Sequence, residues 1–156
     1  MALNLTESNK DYARFLPAIS SIYTKFLSHN SAYNSKVTDD RVPDCFPHGL
    51  DSMDFLNEDK GLFSYKWGLY SAGHAVLDPV KSDISEAHVQ KRDRSKVTLV
   101  GDSGGFQVAK GVLKFPWDKF KDPGGKCDEV RIKILKWLEH TADWSMILDV
   151  PSFSIH

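Results

Sequence analysis
The seven residues Gly101-Asp102-Ser103-Gly104-Gly105-Phe106-Gln107 bring an acid, a hydroxyl, an aromatic ring and a carboxamide together around a glycine pair. Glycine tolerates positive φ without steric cost, so a glycine pair after a strand needs only a tight turn to explain it. Turn geometry alone does not ask for Asp102, Phe106 and Gln107 beside the pair. An acid can move a proton, and glycines let a backbone approach a ligand. A second acid, Asp149, follows the apolar run Trp144 to Leu148. Two carboxylates at one pocket push their pKa values apart, which leaves one of them able to carry a proton near neutral pH.

Two other readings of the turn are weaker. GDSGG also surrounds the nucleophile of trypsin-type proteases, and Ser71-Ala72-Gly73-His74 offers a histidine for it. A triad needs that histidine to accept the serine proton and a buried aspartate to orient it. In the protease fold, however, the nucleophile follows two β-barrels. Here Ser103 follows 102 residues that open in a helical pattern, and Phe106 stands where the protease signature has proline. A phosphate loop is disfavoured too, because G-x-x-x-x-G-K-[ST] and a complete G-x-G-x-x-G are both missing.

The elements that must position these groups follow from periodicity. Apolar residues from Asp11 to Leu27 recur at three and four and predict a helix, with Pro17 as a kink or as its first turn. Residues 28–51, rich in Ser, Asn, Asp and Pro, predict an irregular surface connection. Leu62 to Ser71, with Phe63, Tyr65, Trp67 and Tyr70, reads as a strand stopped by Gly73, its aromatic side chains belonging to the core. A helix from about Ser82 to Arg94, capped by Ser82 or Asp83, would bury Ile84, Ala87 and His88. Val97 to Val100 is a β-branched strand that delivers the glycine turn. Beyond the PWDKFKDPGGK loop, Asp128 would cap a helix with Val130, Ile134, Leu135 and Leu138 on one face, ahead of the Trp144 to Leu148 strand. Strand, helix, strand predicts a parallel βαβ unit. Ligands collect at the carboxyl ends of such strands, where Asp102 and Asp149 both fall.

Composition sets the outer bounds. The chain has 156 residues, 41% of them apolar, enough for one domain with a core. Lys plus Arg number 20 against 21 Asp plus Glu, so no global field draws in a polyanion, and contact with nucleic acid would need a local patch. Lys91, Arg92, Arg94 and Lys96 offer one, although such a cluster is more often the solvated end of a helix. Cys45 and Cys127 lie too far apart in sequence to suggest a disulfide framework, and Cys45 with His48 makes only half a zinc site. The chain has no long apolar run and no basic, then apolar, leader at its start, which predicts a soluble protein of the cytoplasm with no membrane partner. His74 reads more readily as structural than as part of a pocket.

Asp102-Ser103-Gly104-Gly105-Phe106-Gln107 resembles the signature loop of the tRNA-guanine transglycosylase family, which exchanges guanine for a 7-deazaguanine base. Met146-Ile147-Leu148-Asp149 resembles that family's next barrel strand, which ends in its base-reading aspartate. The two matches stand in the family's order and span about Val97 to Pro151. The resemblance implies an α/β fold: about the first three strands of a (β/α)8 TIM-type barrel over residues 61–156, after a helical and irregular extension over residues 1–60. It implies Asp102 as the proton donor and acceptor to the departing and arriving base, and Phe106 as the ring stacked on the purine. Asp149 would accept hydrogen bonds from the base N1–H and exocyclic amine, while Ser103, Gly104, Gly105 and Gln107 shape the pocket. The chemistry asks for these types as well. Guanine leaves poorly unless a proton or hydrogen bonds neutralise its developing charge, and a placed acid supplies roughly 10²- to 10⁴-fold. Stacking on an aromatic ring adds about 1–3 kcal/mol per base.

The family's nucleophilic aspartate and its zinc site of three cysteines and one histidine belong to a later part of its fold than these residues match. The expectation is that this chain supplies the base-binding half, needs no cofactor of its own, and is inactive alone, with zinc in the missing C-terminal part. Val150-Pro151-Ser152 after Asp149 departs from the Glu-Cys usual in the tRNA enzymes. That difference leans toward the phage-associated branch that modifies DNA, in which case the host cytoplasm is the compartment. Expected partners are guanine or a 7-deazaguanine base, tRNA or DNA, and a second copy or a complementary subunit. The alternative is a non-catalytic half-barrel that binds a nucleobase, a nucleic acid or a partner protein.

Overall fold
A computed structural model describes residues 13–28, 37–117 and 123–149. Among them β1 (Ala18–Ile19), β2 (Trp67–Ser71), β3 (Thr98–Asp102) and β4 (Trp144–Ser145) form one sheet in the order β1-β2-β3-β4, each neighbouring pair parallel. Parallel neighbours require crossovers, and helices occupy them. The first carries α1 (Ser21–Leu27) and 3-10 turns at Asp39–Arg41 and Gly49–Met53, the second α2 (Pro79–Ser85) and α3 (Ala87–Gln90), the third α4 (Gly105–Ala109) and α5 (Lys126–Thr141). The architecture is mixed α/β with a parallel sheet. No helix among the described residues is long and apolar enough to cross a membrane.

The core lies where the sheet meets the helices. Tyr70 and Leu99, from adjacent strands, are buried with Val89 of α3 and with Ile134, Trp137 and Leu138 of α5. Burying an aliphatic side chain of this size contributes about 1.5–3 kcal/mol. Gly101 lets α5 lie close on β3: a methyl group there would come 2.6 Å from Leu138 Cδ2. A smaller cluster of Val108, Phe115 and Cys127 packs α4 against the start of α5.

Two polar devices fix the crossovers. Glu86, fully buried between α2 and α3, accepts hydrogen bonds from Tyr70 Oη at 2.7 Å, from the Val76 amide at 2.9 Å and from Ser82 Oγ. Burial, and then the charge of Glu86, push the Tyr70 phenol well above its ordinary pKa. Asp143, just before β4, accepts from the Leu99 amide at 2.8 Å and from Arg92 Nη2 at 2.6 Å. The Arg92 side chain is fully buried, and that burial lowers its pKa against the opposing pull of Asp143.

Several elements are shorter than periodicity predicts. The predicted helix from Asp11 begins only at Ser21, with Ser20 Oγ capping the Tyr23 amide at 3.1 Å; Pro17 leads instead into β1. Asp11 and Tyr12 lie outside the described residues, as do residues 29–36 of the connection and 118–122 of the loop before α5. The strand predicted from Leu62 starts at Trp67, and Phe63 is 68% exposed rather than in the core. Phe15, Pro17, Tyr23, Met53, Phe63 and Tyr65 line an apolar cleft of about 360 Å³ at the amino ends of β1 and β2. The helix predicted over Ser82 to Arg94 is two pieces. Asp78, with Pro79 at the first position, caps the first piece in place of Ser82 or Asp83, and Ile84 is exposed while His88 is buried. Asp128 is not the cap of α5: Gly125 holds that place, and Asp128 accepts from the Gly124 amide at 2.6 Å from within the first turn. Leu135 is exposed, and Trp137 takes the buried place on that helix.

Candidate functional site at the carboxyl end of the sheet
Register assembles the site. Ser71 and Asp102 are paired residues at the carboxyl ends of β2 and β3, and the Ala72 amide donates to the Asp102 carbonyl at 2.8 Å. Ser71 Oγ donates to Asp102 Oδ2 at 2.6 Å, and the Gly104 amide reaches the same oxygen at 3.3 Å. The chain then turns through Gly104, whose φ of +80° is the left-handed region that favours glycine, and enters α4 at Gly105.

Asp149 closes the other side. Val100 and Gly101 pair with Trp144 and Ser145, which carries the chain after β4 to the same end of the sheet as Asp102. Ser103, fully buried, donates from Oγ to Asp149 Oδ1 at 3.1 Å. Gly105 lies directly against Asp149: an added Cβ would overlap its carbonyl oxygen and stand 2.7 Å from Oδ1. Asp102 and Asp149 therefore flank one three-residue turn, each held by a serine hydroxyl, while Asp149 itself stays exposed. Among the described residues, the buried, carboxylate-bonded Ser103 hydroxyl has no hydrogen bond to a histidine, as a nucleophile would need.

The remaining expected residues are distributed around this turn. Phe106, 60% exposed on α4, presents its ring outward with Lys110 Nζ 5.6 Å from the centroid. Gln107 points back to the β2 loop, where its Nε2 pairs with His74 Nε2 at 3.0 Å. His74 thus stands beside the turn, although sequence favoured a structural place for it. Ser71 was missed as a site residue because nothing in sequence distinguishes a strand-end serine; only its register with Asp102 does. Residues 150–152, which depart from the pattern of the tRNA enzymes, lie outside the described residues.

Two other candidates are absorbed elsewhere. In the basic cluster, Arg92 and Arg94 are engaged by Asp143, and Arg94 also reaches the His140 and Thr141 carbonyls. Lys96 faces Glu58 and Asp59 at 3.8 and 3.6 Å. These pairs lie around the amino end of β3, away from Asp102. Cys45 is exposed and free, and no group of three or more His, Cys, Asp or Glu among the described residues stands together to hold a metal. Comparison with family models, with curated proteins and with solved structures finds no match to this chain.

Proposed function
We propose that this chain is the base-binding half of a transglycosylase that replaces guanine in tRNA or DNA by a 7-deazaguanine derivative. The observation that carries the reading is the convergence on the turn at 103–105 of Asp102, at the end of β3, and Asp149, in the segment that follows the adjoining parallel strand β4. Asp102 exchanges a proton with the departing and arriving base. Asp149 accepts hydrogen bonds from the base's N1–H and exocyclic amine, and the outward ring of Phe106 supplies the stacking face. Gly105, without a side chain, lets Asp149 lie against the turn that follows Asp102. The bond to the sugar is exchanged by a nucleophile on a further part of the barrel, and the zinc implied by the resemblance belongs to that part as well.

Labelled-guanine exchange into tRNA and into DNA, assayed on the complete product of the reading frame, tests this. Exchange that disappears in Asp102→Asn supports the proposal, and undiminished exchange in that variant removes the assignment of Asp102. Base binding without exchange favours a non-catalytic half-barrel.

A further inference from the structure
We infer that Ser71 is a positioning residue for Asp102, committing its Oδ2 to the protein and leaving Oδ1 to face the ligand; this rests on the base-binding reading above. Ser71 lies on β2, outside the glycine turn, and reaches the acid only because the two residues are in register. Its hydroxyl is 2.6 Å from Oδ2, the length of a hydroxyl donating to a charged carboxylate. The hydroxyl has one proton to give. The Gly73 amide donates to Ser71 Oγ at 3.2 Å, filling an acceptor site on that oxygen and leaving the proton for Asp102. Among the described residues the one competing acceptor, Gln107 Oε1, is 3.4 Å away.

The Gly104 amide adds a second donor to Oδ2, so the carboxylate is held from β2 on one side and from its own turn on the other. Among the described residues, no hydrogen bond holds Oδ1. A carboxylate anchored by one oxygen presents the other in a fixed direction, and proton transfer depends on that direction before it depends on acidity. The Ser71 side chain is nearly buried, so its hydroxyl keeps this partner rather than exchanging it for water. Asp149 is arranged alike, with Oδ1 given to Ser103.

The test is a double-mutant cycle read by calorimetric binding of 7-deazaguanine to the full chain. Ser71→Ala should weaken binding about ten-fold in the native background and have no further effect in Asp102→Ala. Ser71→Thr, which keeps the hydroxyl, should restore affinity to within about two-fold of native. An equal loss in both backgrounds would show that Ser71 acts on the fold and not through Asp102, overturning the inference. A second measurement needs no ligand. The ¹³Cγ resonance of Asp102 should move in Ser71→Ala and return in Ser71→Thr, and an unmoved resonance contradicts the inference even if the base binds. Native protein that binds no 7-deazaguanine, with the resonance moving as expected, removes the base-binding reading and the role of Oδ1 together while leaving the hydrogen bond intact.

Discussion
At the scale of single residues, the turn at 103–105 is held by fit rather than by bulk. Gly105→Ala would drive a methyl group into the Asp149 carbonyl. Because the obstacle is backbone, the segment bearing Asp149 must move, at a cost of about 1–3 kcal/mol. Urea denaturation should show that loss, and 7-deazaguanine binding should fall with it. Ser103→Ala removes one hydrogen bond to a carboxylate and creates no overlap, so it should cost less stability than Gly105→Ala, about 1–2 kcal/mol in the same experiment. Complete loss of an amidase activity in Ser103→Ala would revive the nucleophile reading.

Among the elements, the join between β3 and β4 depends on Asp143. Asp143→Ala would strip the buried Arg92 guanidinium of its carboxylate and the Leu99 amide of its acceptor. Breaking such a pair from one side costs about 3–5 kcal/mol, which chemical denaturation would register. The start of α5 should instead respond to pH. The Gly124 amide and, next, the Arg131 guanidinium hold the Asp128 carboxyl below its usual range. A lowered folded-state pKa gives stability that is full above the unfolded value of about 3.9 and is lost as pH falls through the folded one. Native protein should therefore melt above Asp128→Asn at pH 6, and the gap should narrow toward pH 2. A gap that persists in acid would contradict this origin.

The same elements show what could be read in advance. The succession β2, helix, β3, helix, β4 and the parallel pairing of β3 with β4 follow from runs such as Val97 to Val100 and from the glycine turn after them, whereas β1 and α4 do not. Boundaries do not follow, because local pattern cannot see tertiary neighbours. Phe63 and Tyr65 have strand-forming character, yet the ladder with β3 begins only at Trp67 and Thr98. Nothing local marks Glu86 for burial: Ser82 is one helical turn away, but the Tyr70 hydroxyl that also holds it comes from a different element. Asp102 was legible as a strand-end acid; the strand expected over Trp144 to Leu148 stops at Ser145, so Asp149 stands in the segment beyond β4, and Ser71 needed the register.

At the scale of the whole molecule, the two ends of the sheet are separate in character. The carboxyl end gathers the acids, the serines and Phe106. The amino end of β1 and β2 carries the aromatic cleft around Phe15 and Phe63. Phe63→Ser should leave 7-deazaguanine affinity within about two-fold of native, since an exposed residue away from the site contributes little. The central claim is that one flat base sits between the Asp102 and Asp149 carboxylates against the ring of Phe106. A crystal structure of the full chain with 7-deazaguanine tests it most directly. The account predicts the base at the 103–105 turn, with Asp102 Oδ1 and an Asp149 oxygen both within hydrogen-bond distance; a base lodged in the aromatic cleft, or touching neither acid, would contradict it.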